Sequence, residues 1–153
     1  MKVCISILLL FLSKLALTQS SKTTELRELF VTAHTEEETC IKLFKLTENT
    51  DLKENSLAYA YHAVSNMLLA NYALNPFKKW HYFKVGKEML ENVIIQNPKN
   101  IEIRFLRYCI QMNSPVFLAY QSDLETDKKI ISSSIYNQPK HLQSFINPIF
   151  NNL

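Results

Sequence analysis

Glycine is almost absent from this chain of 153 residues, in which Gly86 is the single example. Tight β-hairpin turns favour Asn-Gly or Gly-Gly pairs, because glycine reaches positive φ without a steric cost. No such pair occurs in the sequence, so strands joined by hairpins are not expected. A chain of this length fits one domain and not two. We therefore predict a single all-helical domain.

The motifs that usually mark catalytic or metal centres are also missing. No histidine has a second histidine or a cysteine three or four residues away, the spacing that places two metal ligands on one helix face. The sequence contains no HExxH, CxxC, glycine-rich phosphate loop or G-x-S-x-G elbow. We therefore expect no metal, no cofactor and no catalytic residue, and an enzyme is the less favoured class of protein.

Positive charge is not in large excess either. The formal net charge is +3, and loss of Lys2 and Lys14 with an N-terminal signal would lower it by two, to +1. Binding of nucleic acid or anionic lipid depends on clustered positive charge. The net charge predicts neither of these partners.

The N-terminal segment has the three parts of a secretory signal peptide. Lys2 supplies the positive charge, residues 5–12 form an apolar run, and small or polar residues follow it. A membrane-spanning helix needs about 20 apolar residues, and Lys14 interrupts this run well before that length. We expect residues 1–19 to be removed and residues 20–153 to act in the periplasm or outside the cell. An uncleaved membrane anchor is the alternative.

Two cysteines, Cys40 and Cys109, remain after such cleavage. Disulfides persist outside the cytosol, so a bond between the two is one possibility. It would join the helix that begins near Glu36 to the helix that begins near Ile101. Two buried free thiols are the other possibility, because unpaired cysteine is among the most buried side chains.

Asparagine and proline together divide the second half of the chain. Each of the five prolines follows an asparagine by one or two positions: Pro76, Pro98, Pro115, Pro139 and Pro148. Asparagine tolerates the left-handed conformation that ends a helix, and proline suits the first turn of the next one. These sites predict helix ends, and Pro148 should end the last helix. The region 132–135 is ambiguous, either irregular or weakly helical.

Two capping boxes and the helix faces complete the prediction of about six or seven helices. Thr35 with the acids after it, and Asp51 with Glu54, predict helices that begin near Glu36 and Leu52. The second of these helices is small or apolar on nearly every side, so it should lie centrally. Gly86 lies in the apolar stripe of the next helix, where glycine costs about 1 kcal/mol relative to alanine. We expect a neighbouring helix to approach Gly86 closely.

Two resemblances to known families follow from these segments. The helices on either side of Pro76, followed by Asn97-Pro98-Lys99-Asn100 and a new helix, resemble a degenerate tetratricopeptide-type helical hairpin. The stretch Asn100-Ile-Glu-Ile-Arg-Phe-Leu-Arg107, with Pro115, Phe117-Leu118, Tyr120 and Asp127-Lys128-Lys129 after it, resembles a pattern in uncharacterised exported proteins of Bacteroidota. These resemblances imply an exported helical bundle or hairpin array and no particular activity.

Two groups of polar residues on the predicted helices are candidate binding residues. Tyr59, His62 and Asn66 share one face of the central helix; they either contact a partner in a groove or are core polar groups with internal hydrogen bonds. Arg104 and Arg107 lie on an otherwise apolar helix. Their guanidinium groups can grip a carboxylate of a partner, or form internal salt bridges with Glu102, Glu88 or Glu91.

The function favoured by these observations is that of a small exported interaction module. Helical hairpin scaffolds commonly present a groove to a protein or peptide. The alternative is a periplasmic small-molecule carrier or enzyme with a cavity between the central helices. An open concave surface would favour the module, and a deep closed pocket with converging polar groups would favour the carrier or enzyme.

Overall fold

The structure is a computed structural model that describes residues 21–153. The described residues form seven α-helices and no strand, so the predicted all-helical class is confirmed. The signal peptide predicted for residues 1–19 lies outside the described residues. The helices are α1 (21–32), α2 (Glu37–Thr47), α3 (Ser56–Tyr72), α4 (Pro76–Gln96), α5 (Ile101–Asn113), α6 (Leu124–Ser134) and α7 (Lys140–Phe150), with short 3-10 turns at Val116–Leu118 and Ile135–Asn137.

Asparagine side chains cap the N-terminal ends of three helices. The Asn75 side-chain oxygen accepts from the backbone N–H of Phe77 at 2.8 Å, next to Pro76 at the first position of α4. Asn100 accepts in the same way at the start of α5, and Asn55 at the start of α3. Such caps satisfy backbone donors that the first helical turn leaves free. The predicted boundaries at Pro76 and Ile101 are confirmed.

Neither predicted capping box is formed. The Thr35 hydroxyl donates to the Thr32 carbonyl oxygen at 3.1 Å, so it belongs to the turn after α1. The boundary near Glu36 is nevertheless confirmed, because α2 begins at Glu37. Asp51 accepts from the backbone N–H of Lys53 at 2.8 Å and forms a separate turn. The predicted start near Leu52 is therefore wrong, and α3 begins four residues later, at Ser56.

The C-terminal helix continues through its proline. Pro148 lies inside α7, which runs from Lys140 to Phe150, so the prediction that it ends this helix is wrong. The missing proline N–H removes one helical hydrogen bond close to the end of the helix, where little remains to be disrupted. Buried Ile146 and the partly buried Ile149 on either side also hold this turn against the core. The ambiguous region 132–135 is the end of α6 followed by a 3-10 turn.

Helices α3 and α4 form a closely packed hairpin in the middle of the fold. Helix α2 packs on α3, α5 packs on α3 and α4, and α6 packs on α5. A Cβ atom on Gly86 would lie 2.5 Å from the Ala63 carbonyl oxygen and 2.9 Å from the Met67 backbone nitrogen. The predicted close approach to Gly86 is thus confirmed, and α3 is the neighbour.

A buried ionic cluster joins α1, α3 and α5. Arg27 donates through Nε to Glu102 Oε1 at 2.8 Å and through Nη2 to Oε2 at 2.6 Å. The Tyr61 hydroxyl donates to Glu102 Oε1 at 2.8 Å. The hydrogen bond to Glu102 raises the pKa of Arg27, and burial raises that of Tyr61, with the nearby carboxylate adding to the effect. Breaking one member of such a cluster leaves a buried charge without its partner.

Candidate functional site

The two predicted arginines are engaged in internal ion pairs. Arg107 donates through Nε to Asp127 Oδ2 at 2.6 Å and through Nη1 to Glu91 Oε2 at 2.7 Å. Arg104 donates to Asp127 Oδ1 at 2.7 Å and to the Pro98 carbonyl oxygen. Burial lowers the pKa of Arg107, but the hydrogen bond and charge of Asp127 outweigh that effect, and the pKa is raised. Of the three proposed salt-bridge partners only Glu91 is used.

His62, the middle residue of the polar face of α3, packs against α2. His62 Nδ1 lies 3.1 Å from Thr47 Oγ1, and its ring lies 4.6 Å from that of Phe44. Asn66 is buried and donates to the His62 carbonyl oxygen at 3.0 Å, while Tyr59 is partly buried against the core. Burial lowers the pKa of His62.

The arrangement of these five residues matches internal structure better than a shared binding surface. Within the described residues, no hydrogen bond, ion pair or ring contact joins Tyr59, His62 or Asn66 to either arginine. His62 contacts α2, whereas Arg107 contacts α4 and α6. Binding by any of them remains a prediction.

The two cysteines are free thiols in this structure, so the disulfide possibility is not realised. Their surroundings differ: the Cys40 thiol donates to the Ser65 carbonyl oxygen at 3.7 Å, between α2 and α3. Cys109 instead lies on α5, among residues that line a surface cleft. Burial raises the pKa of both thiols to about 12.

Thiol labelling provides the first test. After removal of residues 1–19 and without reductant, the unfolded chain should take up two equivalents of iodoacetamide, one at Cys40 and one at Cys109. The folded chain should react slowly, because the thiolate is the reacting species and both pKa values are about 12. Labelling of the unfolded chain only after reduction would contradict this structure and support a disulfide.

The described residues form an apolar cleft of about 810 Å³. Its walls come from α1, α3, α4, α5, the 3-10 turn after α5, and α7. Its lining includes Val31, His34, Asn71, Lys79, Trp80 and Phe117. No aspartate or glutamate side chain is among the described residues that line it.

The rim of this cleft exposes large apolar side chains. Trp80 is 57% exposed and Phe117 is 84% exposed, although both are large aromatic residues. Exposed apolar surface of this kind is unfavourable in water and often marks a binding site when it surrounds a concave surface. The cleft therefore has the chemistry of a binding site for an apolar group.

The rim position of Phe117 follows from how α5 ends. The Ser114 hydroxyl donates to the Ile110 carbonyl oxygen at 2.7 Å, and Pro115 cannot continue the helix. The chain makes a 3-10 turn over Val116–Leu118 and reverses at Ala119, which has a left-handed φ of 47°. This exposed turn carries Phe117 to the edge of the cleft.

Trp80 lines the cleft from α4 and stacks on a neighbouring aromatic ring. Its ring lies 6.5 Å from that of Phe83 with an interplanar angle of 28°, and Phe83 makes an edge contact with Tyr120 at 5.8 Å. Such aromatic contacts fix ring orientation. The indole is therefore positioned before any ligand binds. Sequence patterns missed this cleft because its residues are far apart along the chain.

Comparison with known proteins gives no assignment. No protein family, curated protein or solved structure matches this chain. Within residues 21–153, every helix is too short or too polar to cross a membrane, and no cluster of His, Cys, Asp and Glu side chains could hold a metal ion. The geometry of the cleft is therefore the basis for assigning a function.

Proposed function

We propose that the chain is an exported helical interaction module that binds an apolar segment of a partner protein or peptide in the cleft. The observation that carries the proposal is the apolar cleft bordered by exposed Trp80 and Phe117. Aromatic residues dominate the energetics of many protein interfaces. Export is supported by the charged start, the apolar run and the small residues of the N-terminal segment.

An amphipathic helix is the partner segment that fits this chemistry best. Such helices place the apolar side chains of successive turns into hydrophobic grooves. Lys79 and His34 line the cleft, and no acidic side chain among the described residues does. Carboxylates beside the apolar anchors of the partner would therefore meet complementary charge. We propose a partner helix with leucine-like anchors and acidic flanking residues.

A small-molecule carrier is the second candidate, and the size of the cleft is the observation that favours it. Its volume of about 810 Å³ falls in the range of roughly 300–1,000 Å³ that is typical of ligand pockets. A single-chain carboxylate could place its tail in the cleft and its head near Lys79. The exposed rim aromatics favour the peptide, because a ligand enclosed in the cleft would leave the outer surface of Phe117 in water.

Trp80 provides a specific probe, since it is the single tryptophan of the chain and lines the cleft. We would titrate the protein with an acidic, leucine-rich amphipathic peptide and, separately, with dodecanoate, and follow Trp80 emission. The variant Asn71→Phe adds bulk at an exposed position on the cleft wall. The matched control Asn92→Phe makes the same change on an exposed part of α4 away from the cleft.

The expected result is saturable binding of the peptide with a blue shift of Trp80 emission. Asn71→Phe should weaken it at least about tenfold, equivalent to about 1.4 kcal/mol, and Asn92→Phe should leave it unchanged. Binding of dodecanoate alone, with the same sensitivity to Asn71→Phe, would replace the interaction module with the carrier. Absence of binding by either probe, or equal effects of the two variants, would contradict a site in the cleft.

A further inference from the structure

A second exposed surface lies where α3 joins α4. We call it the α3–α4 tip and define it by Leu74, Phe77, Lys78, Lys79 and Trp80. Leu74 is 98% exposed and Phe77 is 83% exposed. Exposed apolar residues are common singly, but two almost fully exposed ones within four positions, beside a half-exposed tryptophan, form a patch. Leu74, Phe77 and Lys78 do not line the cleft, whereas Lys79 and Trp80 belong to both surfaces.

The local charge of the tip is much more positive than the net charge of the chain suggests. No aspartate or glutamate occurs between Glu54 and Glu88, whereas Lys78, Lys79, Lys84 and Lys87 all lie in that interval. Lys78 and Lys79 are exposed, and within residues 21–153 neither forms an ion pair. The small net charge of the chain therefore coexists with a local basic cluster. A low net charge argues against binding of anionic lipid by the chain as a whole, but that argument does not apply to this surface.

The backbone of the tip is held in place. Asn75 caps α4 by accepting from the N–H groups of Phe77 and Lys78, and the Trp80 ring stacks on Phe83. These contacts leave the side chains of Leu74 and Phe77 pointing away from the core with most of their surface in water. A rigid projection loses little conformational freedom on binding, which favours association.

We propose that the α3–α4 tip docks on the surface of an anionic lipid bilayer. Leu74 and Phe77 would enter the boundary between headgroups and acyl chains, and Trp80 would lie at the headgroup level that tryptophan prefers. Lys78 and Lys79 would contact lipid phosphates, whose negative potential attracts neighbouring basic residues. A bilayer fits better than a protein surface, because the tip combines almost fully exposed apolar side chains with lysines and contains no acid.

The tip can be tested separately from the cleft. Leu74 and Phe77 belong to the tip and are not among the residues that line the cleft. Asn71 lines the cleft and is not part of the tip. Loss of bilayer binding in tip variants with normal peptide binding would therefore leave the proposed function unaffected, and the reverse pattern would leave the tip proposal unaffected.

Vesicle binding measures the tip directly. We would purify the chain in the form in which the cell accumulates it and use vesicles of phosphatidylcholine, alone or mixed with phosphatidylglycerol. The apolar test variant is Leu74→Ser with Phe77→Ser, and its control is Ile95→Ser, a residue 75% exposed near the other end of α4. The charge test variant is Lys78→Gln, because Lys79 also lines the cleft, and its control is Lys128→Gln at another exposed position.

The wild-type chain should bind the mixed vesicles more tightly than phosphatidylcholine alone, with a blue shift of Trp80 emission. Loss of the Lys78 charge should weaken binding about fivefold, and loss of Leu74 and Phe77 at least about tenfold. Both control variants should bind as wild type does. Equal binding to the two kinds of vesicle, equal effects of test and control variants, or tip variants that impair only peptide binding would overturn the proposal.

Discussion

Glu102→Ala should lower the free energy of unfolding by about 3–5 kcal/mol, the usual cost of removing one partner of a buried ion pair. Arg27, which is 9% exposed, would lose both of its hydrogen bonds to the Glu102 carboxylate. The buried Tyr61 hydroxyl would lose its acceptor as well. This loss is a large fraction of the total free energy of unfolding of a small domain, which is about 5–15 kcal/mol.

Urea denaturation followed by circular dichroism measures this effect. Glu125→Ala removes an exposed glutamate from the first turn of α6 and should change stability by no more than about 0.5 kcal/mol. Tyr61→Phe removes one hydrogen bond of the cluster and should cost about 1 kcal/mol, so it provides a graded measurement if Glu102→Ala does not fold. Glu102→Ala and Glu125→Ala with the same midpoint would show that the cluster does not stabilise the fold.

Gly86→Ala should destabilise the chain by about 1–3 kcal/mol, the usual effect of adding atoms to a packed core. Helix propensity alone predicts the opposite sign, since alanine is favoured over glycine by about 1 kcal/mol. The new methyl group would lie 2.5 Å from the Ala63 carbonyl oxygen. Packing should prevail, because that neighbour is backbone and cannot move without separating α3 from α4.

The same urea experiment tests this prediction with Asn92→Ala as the control. Asn92 is exposed on α4, so its replacement should be neutral or slightly stabilising through helix propensity. Met67→Ala in the Gly86→Ala background should restore little of the lost stability, because the Ala63 oxygen and the Met67 nitrogen still obstruct the methyl group. A rise in stability for Gly86→Ala would show that the helices are not this close.

Local features of the fold could be predicted from the sequence. The asparagine and proline pattern correctly predicted the starts of α4 and α5. Asparagine was expected to end the preceding helix in a left-handed conformation, whereas Asn75 and Asn100 cap the helix that follows and have negative φ. The start of α3 was predicted wrongly, because two nearby residues can both cap a helix. Asp51 matches a capping box, but Asn55 caps α3, and Asp51 forms a turn with Lys53. A single glycine in an apolar stripe was sufficient to predict the close contact at Gly86.

Features that depend on distant residues could not be predicted in the same way. The sequence indicated that Arg107 needs an acid, but its main partner Asp127 lies twenty residues away on another helix. The cleft joins Val31, Trp80 and Phe117, which only the packing of the helices brings together. Periodicity treats such apolar residues as core, whereas Phe117 is mostly exposed. The α3–α4 tip could not be predicted from the sequence either, because neither periodicity nor the nearly balanced net charge shows which apolar residues and lysines are exposed together.

Site-specific photo-crosslinking in living cells tests the proposed function most directly. A benzophenone side chain would replace Asn71 on the cleft wall and, as a control, Asn92 on the exposed side of α4. We predict that residue 71, and not residue 92, becomes joined to an apolar helical segment of a distinct polypeptide, and that Ile110→Trp within the cleft abolishes the product. Equal products from both positions, or a product at residue 71 that contains only a small molecule, would contradict the interaction module.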